Sequence, residues 1–143
     1  MPGAANGNVR IVLRLEGLSV FAMALICYSK FGSGWGLFAA CFLIPDLSFL
    51  GYVAGSSTGA IAYNMAHSYI GALACLFVGA VASVPVLVSA GFIWGAHIGF
   101  DRALGYGLKY SKGFSFTHLG LIGRLKRKAS NTSLNRDRLK PAR

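Results

Sequence analysis

The chain has 143 residues, 55% of them apolar and 13% charged, with a mean hydropathy of +0.57. So few charges could not cover the surface of a soluble domain this small, which excludes one and points to a membrane protein of a single domain. A formal charge of +10 would suggest nucleic acid in a soluble protein, but eleven of the 14 basic residues lie from Arg102 onward; a topology signal and contact with lipid account for such a tail without a nucleic-acid partner.

A hydrocarbon core about 30 Å thick takes about 20 apolar residues in a helix that satisfies its own backbone. The first such segment is 9–28, with Arg14 and Glu16 near its start, ended by the polar break 29–34. Ala22-Met23-Ala24 has the form of a signal-peptide cleavage site, but it lies inside the apolar run and leaves only about five residues for a region that needs about 7–15, so the segment reads as a retained anchor. The second span is 35–53, with Pro45-Asp46 in its second half, where proline removes a backbone donor and predicts a kink. Between residues 60 and 100 the only ionisable side chains besides cysteine and tyrosine are His67 and His97. That stretch is too long for one span and reads as two, 60–78 and 84–104, with a turn near 79–83.

Residues 104–110, with two glycines, read as a helix stop. Segment 117–128 sets Leu119, Ile122 and Leu125 against Arg124, Lys126, Arg127 and Lys128, the pattern of a short helix lying on anionic lipid. Everything after Ala129 reads as disordered. Cys27, Cys41 and Cys75 fall in three different apolar stretches without metal spacing and read as packing residues. The expected fold is therefore all-α, an integral membrane four-helix bundle over 9–112 with a basic cytoplasmic tail over 113–143. Short loops rich in Lys and Arg stay in the cytoplasm, and an even number of spans places both termini there.

A helix rises about 1.5 Å per residue, so position along a span converts to depth. Glu16, Asp46, His67 and His97 each lie about seven residues from the cytoplasmic end of their span, about 10 Å below it. Asn64 and Asp101 are nearer that surface, each one turn from a histidine on its own helix. Charged groups within spans are costly and face a bundle interior or a watery cavity, which makes them functional candidates. On the fourth span Gly91, Gly95, Gly99 and Ala103 repeat every four residues, a ridge suited to close helix packing. His97 and Asp101 fall on the opposite side, so this helix is expected at the centre of the bundle or with its second face against another subunit. Residues 60, 64, 68 and 72 form a similar stripe on the third span.

Several motifs, Arg14-Leu15-Glu16-Gly17-Leu18, Pro45-Asp46-Leu47-Ser48, Tyr63-Asn64-Met65-Ala66-His67-Ser68-Tyr69, Ala96-His97-Ile98-Gly99-Phe100-Asp101-Arg102 and Thr117-His118-Leu119-Gly120, resemble a family of small bacterial integral membrane proteins whose domain has no assigned function. The resemblance covers about residues 10–124 and implies a four-helix protein of the inner membrane. A weaker similarity to membrane-bound metal-dependent hydrolases aligns Asp46, His67, His97 and Asp101 with that group's Pro-Asp turn, His-Ser pair and His with Asp one turn later, as single residues where that group has a denser set.

Two readings of the polar layer follow. In one the chain is a binding or scaffold module, and the layer specifies helix packing around a lipid, ion or protein partner. In the other His67, His97 and Asp101 hold a divalent metal, zinc, iron or manganese, and Glu16 and Asp46 serve as catalytic carboxylates in hydrolysis of a lipid-like ester or phosphate. A proton or ion pathway is a third, and four helices make a pore only as a homo-oligomer. No nucleophile elbow, phosphate loop, dinucleotide fingerprint or HExxH motif supports another catalyst.

Overall fold

The computed structural model describes residues 5, 7–111, 115–121 and 131–132. The architecture is helical: α1 (Gly7–Phe31), α2 (Trp35–Cys41), a 3-10 helix (Ile44–Ala54), α3 (Ser56–Ala66), α4 (Tyr69–Val81) and α5 (Pro85–Leu104), followed by a small antiparallel hairpin of β1 (Phe116–Thr117) and β2 (Gly120–Leu121). Three segments are long and apolar enough to cross a membrane, Gly7–Phe31, Trp35–Ala54 and Ser56–Val81. Large apolar side chains such as Met65, Ile70, Phe77 and Val81 point out of the bundle, as a chain surrounded by lipid requires.

Only the first of these three is one unbroken helix. The second divides at Phe42-Leu43, just before Pro45, and the third at His67-Ser68, where Ser68 caps α4 by accepting from Ile70 N–H (3.3 Å). The expected continuous spans 35–53 and 60–78 are each therefore a pair of short helices. The expected fourth span corresponds to α5, which at 20 residues is long enough but is not among these three. Its start and end follow the chain as read: the turn before it closes at Ser83, a non-glycine residue at φ 55°, and Gly105 ends it with a left-handed φ of 95°. The hairpin occupies 116–121 where a surface helix was expected over 117–128; residues 122–128 and nearly all of the tail after Ala129 lie outside the described residues.

Helix α5 is the axis of the fold, packed mainly between α1 and α4. Ser89, Gly91, Ile93, Ala96, His97, Ile98 and Gly99 on it are all buried. The glycine ridge is shared between two neighbours. Gly91 lies against Leu76 of α4, Gly99 lies against the backbone of Gly17 and Phe21 of α1, and Gly95 between them meets nothing within 4 Å. At the start of α5, Ser33 bonds Ser89 through both its backbone N–H (3.0 Å) and its hydroxyl (2.8 Å), fixing the entry of α2 beside α5. All three cysteines are free and half-buried.

The 3-10 helix runs for 11 residues, long for a type that seldom exceeds three or four. With three residues per turn it has three faces. Ile44, Leu47, Leu50 and Val53 line one ridge and are all exposed, Val53 to 90%. Asp46, Phe49 and Tyr52 line the second and turn toward α3, where Phe49 stacks on Tyr63 (5.2 Å) and Tyr52 covers Gly59. Pro45, Ser48 and Gly51 line the third, with Pro45 buried and Gly51 against Ala62.

Candidate metal centre

Four side chains from three elements converge beside α5. Asp46 sits in the first turn of the 3-10 helix, its N–H donating to Leu43 O (3.1 Å). His67 is the residue after α3, at φ −108° and ψ 16°, where the chain leaves helical geometry. His97 and Asp101 lie one turn apart on α5. Their ligand atoms, one per residue, all lie within 4.8 Å of one another.

The separations suit a single small cation. His67 Nε2 is 3.2 Å from His97 Nε2, 3.4 Å from Asp46 Oδ1 and 3.5 Å from Asp101 Oδ2. His97 Nε2 is 3.5 Å from Asp46 Oδ1 and 4.0 Å from Asp101 Oδ2. Ligands about 2.0–2.1 Å from a tetrahedral metal stand about 3.3–3.4 Å apart; four of these five separations lie within about 0.2 Å of that, and the His97–Asp101 edge must close from 4.0 Å.

Proton bookkeeping points the same way. His67 Nδ1 lies 3.0 Å from Tyr63 O, which can only accept, so Nδ1 carries the proton of a neutral ring and Nε2 presents its lone pair. That lone pair, the two carboxylate oxygens and His97 Nε2 converge on one space. A divalent cation satisfies the whole set, and the bond from Nδ1 to a backbone carbonyl is the usual support of a metal-ligating imidazole. His97 Nδ1 is buried with no hydrogen-bond partner among the described residues.

Surrounding groups hold the ligands in place. The Tyr63 ring stacks on His67 at 3.7 Å, and its hydroxyl donates to Asp101 Oδ2 (3.2 Å). Phe42 meets the His97 ring edge-on at 5.3 Å. Trp94 Nε1 donates to Ala66 O (2.6 Å), and Arg102 Nη2 to His67 O (3.3 Å), so both carbonyls at the α3–α4 break are satisfied. Asn64 exchanges two bonds with the Lys109 backbone, Nδ2 to Lys109 O (2.8 Å) and Lys109 N to Oδ1 (2.6 Å). Lys109 is thereby folded back over the site, 4% exposed, with Nζ 4.7 Å from the Tyr63 ring centre. Burial lowers its pKa to about 8, against the opposing pull of Asp101 and Asp46. The histidines are shut away, whereas the Asp46 side chain is 34% exposed, so the centre is open on one side.

Glu16 does not join this set. It is exposed on α1 and lines a separate hollow with Tyr69, Arg102 and His118, because Gly17 beside it is the residue pressed against α5. In that region Arg102 Nη1 meets His118 Nε2 at 2.7 Å while Leu108 N–H donates to His118 Nδ1 (2.8 Å). A neutral ring has one lone pair for these two donors and a protonated ring has none. Burial first, and then the charge of Arg102, lower the pKa of His118.

Asp46, His67, His97 and Asp101 were all legible as polar residues of similar depth. Trp94, Arg102 and Lys109 as supports of the α3–α4 break and of the site were not. Their only signal was proximity to the motifs, since their partners are backbone atoms or residues distant in sequence. The profile of a family described as a domain of unknown function, DUF4260, matches residues 10–122. No curated protein and no solved structure matches the chain.

Proposed function

The chain belongs to the DUF4260 family, whose domain carries no assigned function, and we propose that it is a membrane-embedded metal-binding protein that holds one divalent transition metal through Asp46, His67, His97 and Asp101. The observation that carries this reading is the convergence of two imidazole nitrogens and two carboxylate oxygens within 4.8 Å. Two nitrogen and two oxygen donors suit zinc, iron or manganese. In lipid such a set needs a cation to neutralise its carboxylates, which are otherwise costly there.

A second reading, hydrolysis of a lipid-like ester or phosphate, is favoured by the partial exposure of Asp46 and by an apolar cavity that shares Pro45 and Ala66 with the sequence neighbours of two ligands. Catalytic centres keep such an open position. There the metal would supply a Lewis acid toward the ester or phosphoryl oxygen, and Asp46, the most exposed ligand, is the group placed to meet an incoming substrate. Glu16 has no part in this version, because it lies at the other hollow.

The test is metal content by mass spectrometry in detergent-purified protein, compared with His97→Ala and Asp101→Asn, each checked for helicity by circular dichroism. Near-stoichiometric metal in the parent, lost in both folded variants, supports the reading. Metal-free parent protein after exposure to zinc, iron and manganese overturns it. The proposed placement, in the inner membrane with both termini cytoplasmic and the basic tail on anionic lipid, is checked by reporter fusions after Arg143 and within 29–34. Opposite signals are expected, and matching ones refute it.

A further inference from the structure

The apolar cavity beside the centre has a volume of about 340 Å³, within the range of ligand pockets. Its lining comes from the elements that build the site. Cys41 belongs to α2, Pro45 and Ser48 to the 3-10 helix, Ala66 adjoins His67, and Val86 to Trp94 line it along α5. On α5 the wall runs from Trp94, about one turn before His97, back to Val86, about 12 Å of helix, and Pro45 and Ala66 in it are the sequence neighbours of Asp46 and His67.

Its polar content is slight. Trp94 N–H is already committed to Ala66 O, and Ser48 Oγ is buried with no hydrogen-bond partner among the described residues. Ser48 lies two residues after Asp46 on the 3-10 helix. An ordered water needs two to four polar partners, which one hydroxyl cannot supply. An apolar slot with a single unmatched hydroxyl suits a ligand that is hydrocarbon along its length and polar at one end.

We propose that this cavity seats one hydrocarbon chain of a lipid-class ester or phosphate whose polar end lies at the metal centre, where Ser48 Oγ donates to a ligand oxygen. The inference rests on the metal-binding reading and names its ligand. Because the chain would move from lipid into an equally apolar slot, its burial contributes little affinity. Selection comes from shape and from the polar end, and the cavity therefore discriminates by length.

The probe is an alkyl hydroxamate, a chelating head on a chain brominated on the carbons nearest that head, added to metal-loaded protein in detergent. Trp94 lines the cavity and is one of two tryptophans, so in a Trp35→Phe background bromine contact is read as quenching of Trp94 alone. Saturable quenching is expected. Ala90→Phe, which fills the slot away from every ligand, should weaken it about tenfold or more at unchanged metal content, and Val86→Phe at the far end should weaken long chains while sparing short ones. Quenching indifferent to Ala90→Phe, with metal retained, overturns the proposal. Failure of the metal reading registers separately, as absent metal. In that event a brominated alcohol of equal length still tests the slot: quenching sensitive to Ala90→Phe supports a chain seat, and insensitive quenching removes it.

Discussion

Gly95 and Gly99 stand one turn apart on α5, and alanine at each should have opposite consequences. At Gly99 the added Cβ would lie 2.7 Å from Phe21 N, 2.8 Å from Gly17 O and 3.1 Å from Phe21 Cα. All three are backbone atoms of α1, so no side chain can rotate away; α1 must shift by about 0.7 Å to restore an ordinary contact of 3.4 Å. Overpacking of this kind costs about 1–3 kcal/mol. At Gly95 nothing lies within 4 Å, and alanine gains up to about 1 kcal/mol of helix propensity. That propensity gain is common to both substitutions and cancels between them, so the difference between the variants isolates the packing cost. A gap of about 1–3 kcal/mol corresponds to roughly 3–9 °C in Tm for a chain of this length. Thermal unfolding in mild detergent, followed by far-ultraviolet circular dichroism, should show Gly95→Ala at or above the parent and Gly99→Ala below it. Equal losses at both sites would refute the reasoning, because they would mean that Gly95 also faces a packed surface, such as a second copy of the chain.

Tyr63→Phe keeps the ring stacked on His67 but removes the hydroxyl donated to Asp101; metal affinity measured by chelator competition should fall about 10–100-fold, and an unchanged affinity would remove Tyr63 from the support of the site. Trp94→Phe leaves the Ala66 carbonyl without its donor and should cost about 1–3 kcal/mol in thermal unfolding; a variant as stable as the parent would show that this bond does not secure the α3–α4 break. Asn64→Ala deletes both bonds to the Lys109 backbone and should speed hydrogen exchange at 108–110 well beyond any change in α1, which mass spectrometry of peptides can resolve. The pKa of His118 is lowered on folding, so the unfolded chain binds its proton first. Its share of stability is full above about pH 6.5 and is lost as pH falls through the folded value. The fall of Tm with acid should be shallower in His118→Gln than in the parent, and parallel curves would show that His118 carries none of it.

What was legible in the sequence was height. Composition pointed to a membrane, and the rise of a regular α-helix was enough to group Asp46, His67 and His97 by level, with Asp101 one turn along the same helix, although Asp46 lies in a 3-10 helix of steeper rise. Glu16 shares that level and still belongs elsewhere, because level says nothing about azimuth. Which way a residue faces around α1 depends on Gly17 meeting α5, a contact between residues about 80 positions apart. The breaks were hidden for a different reason. Ile44, Leu47, Leu50 and Val53 announce a three-residue turn, but in a segment apolar on every side that period has no polar face to contrast with, and only Pro45 marked the place. Sequence thus determined the apolar character of the helices, their ends at glycine and proline, and which ionisable residues fall within them, all properties local to one helix. Tertiary structure alone decided which four of them meet, since convergence depends on the rotation of each helix against its neighbours, and that is settled by small residues at crossings far apart in the chain.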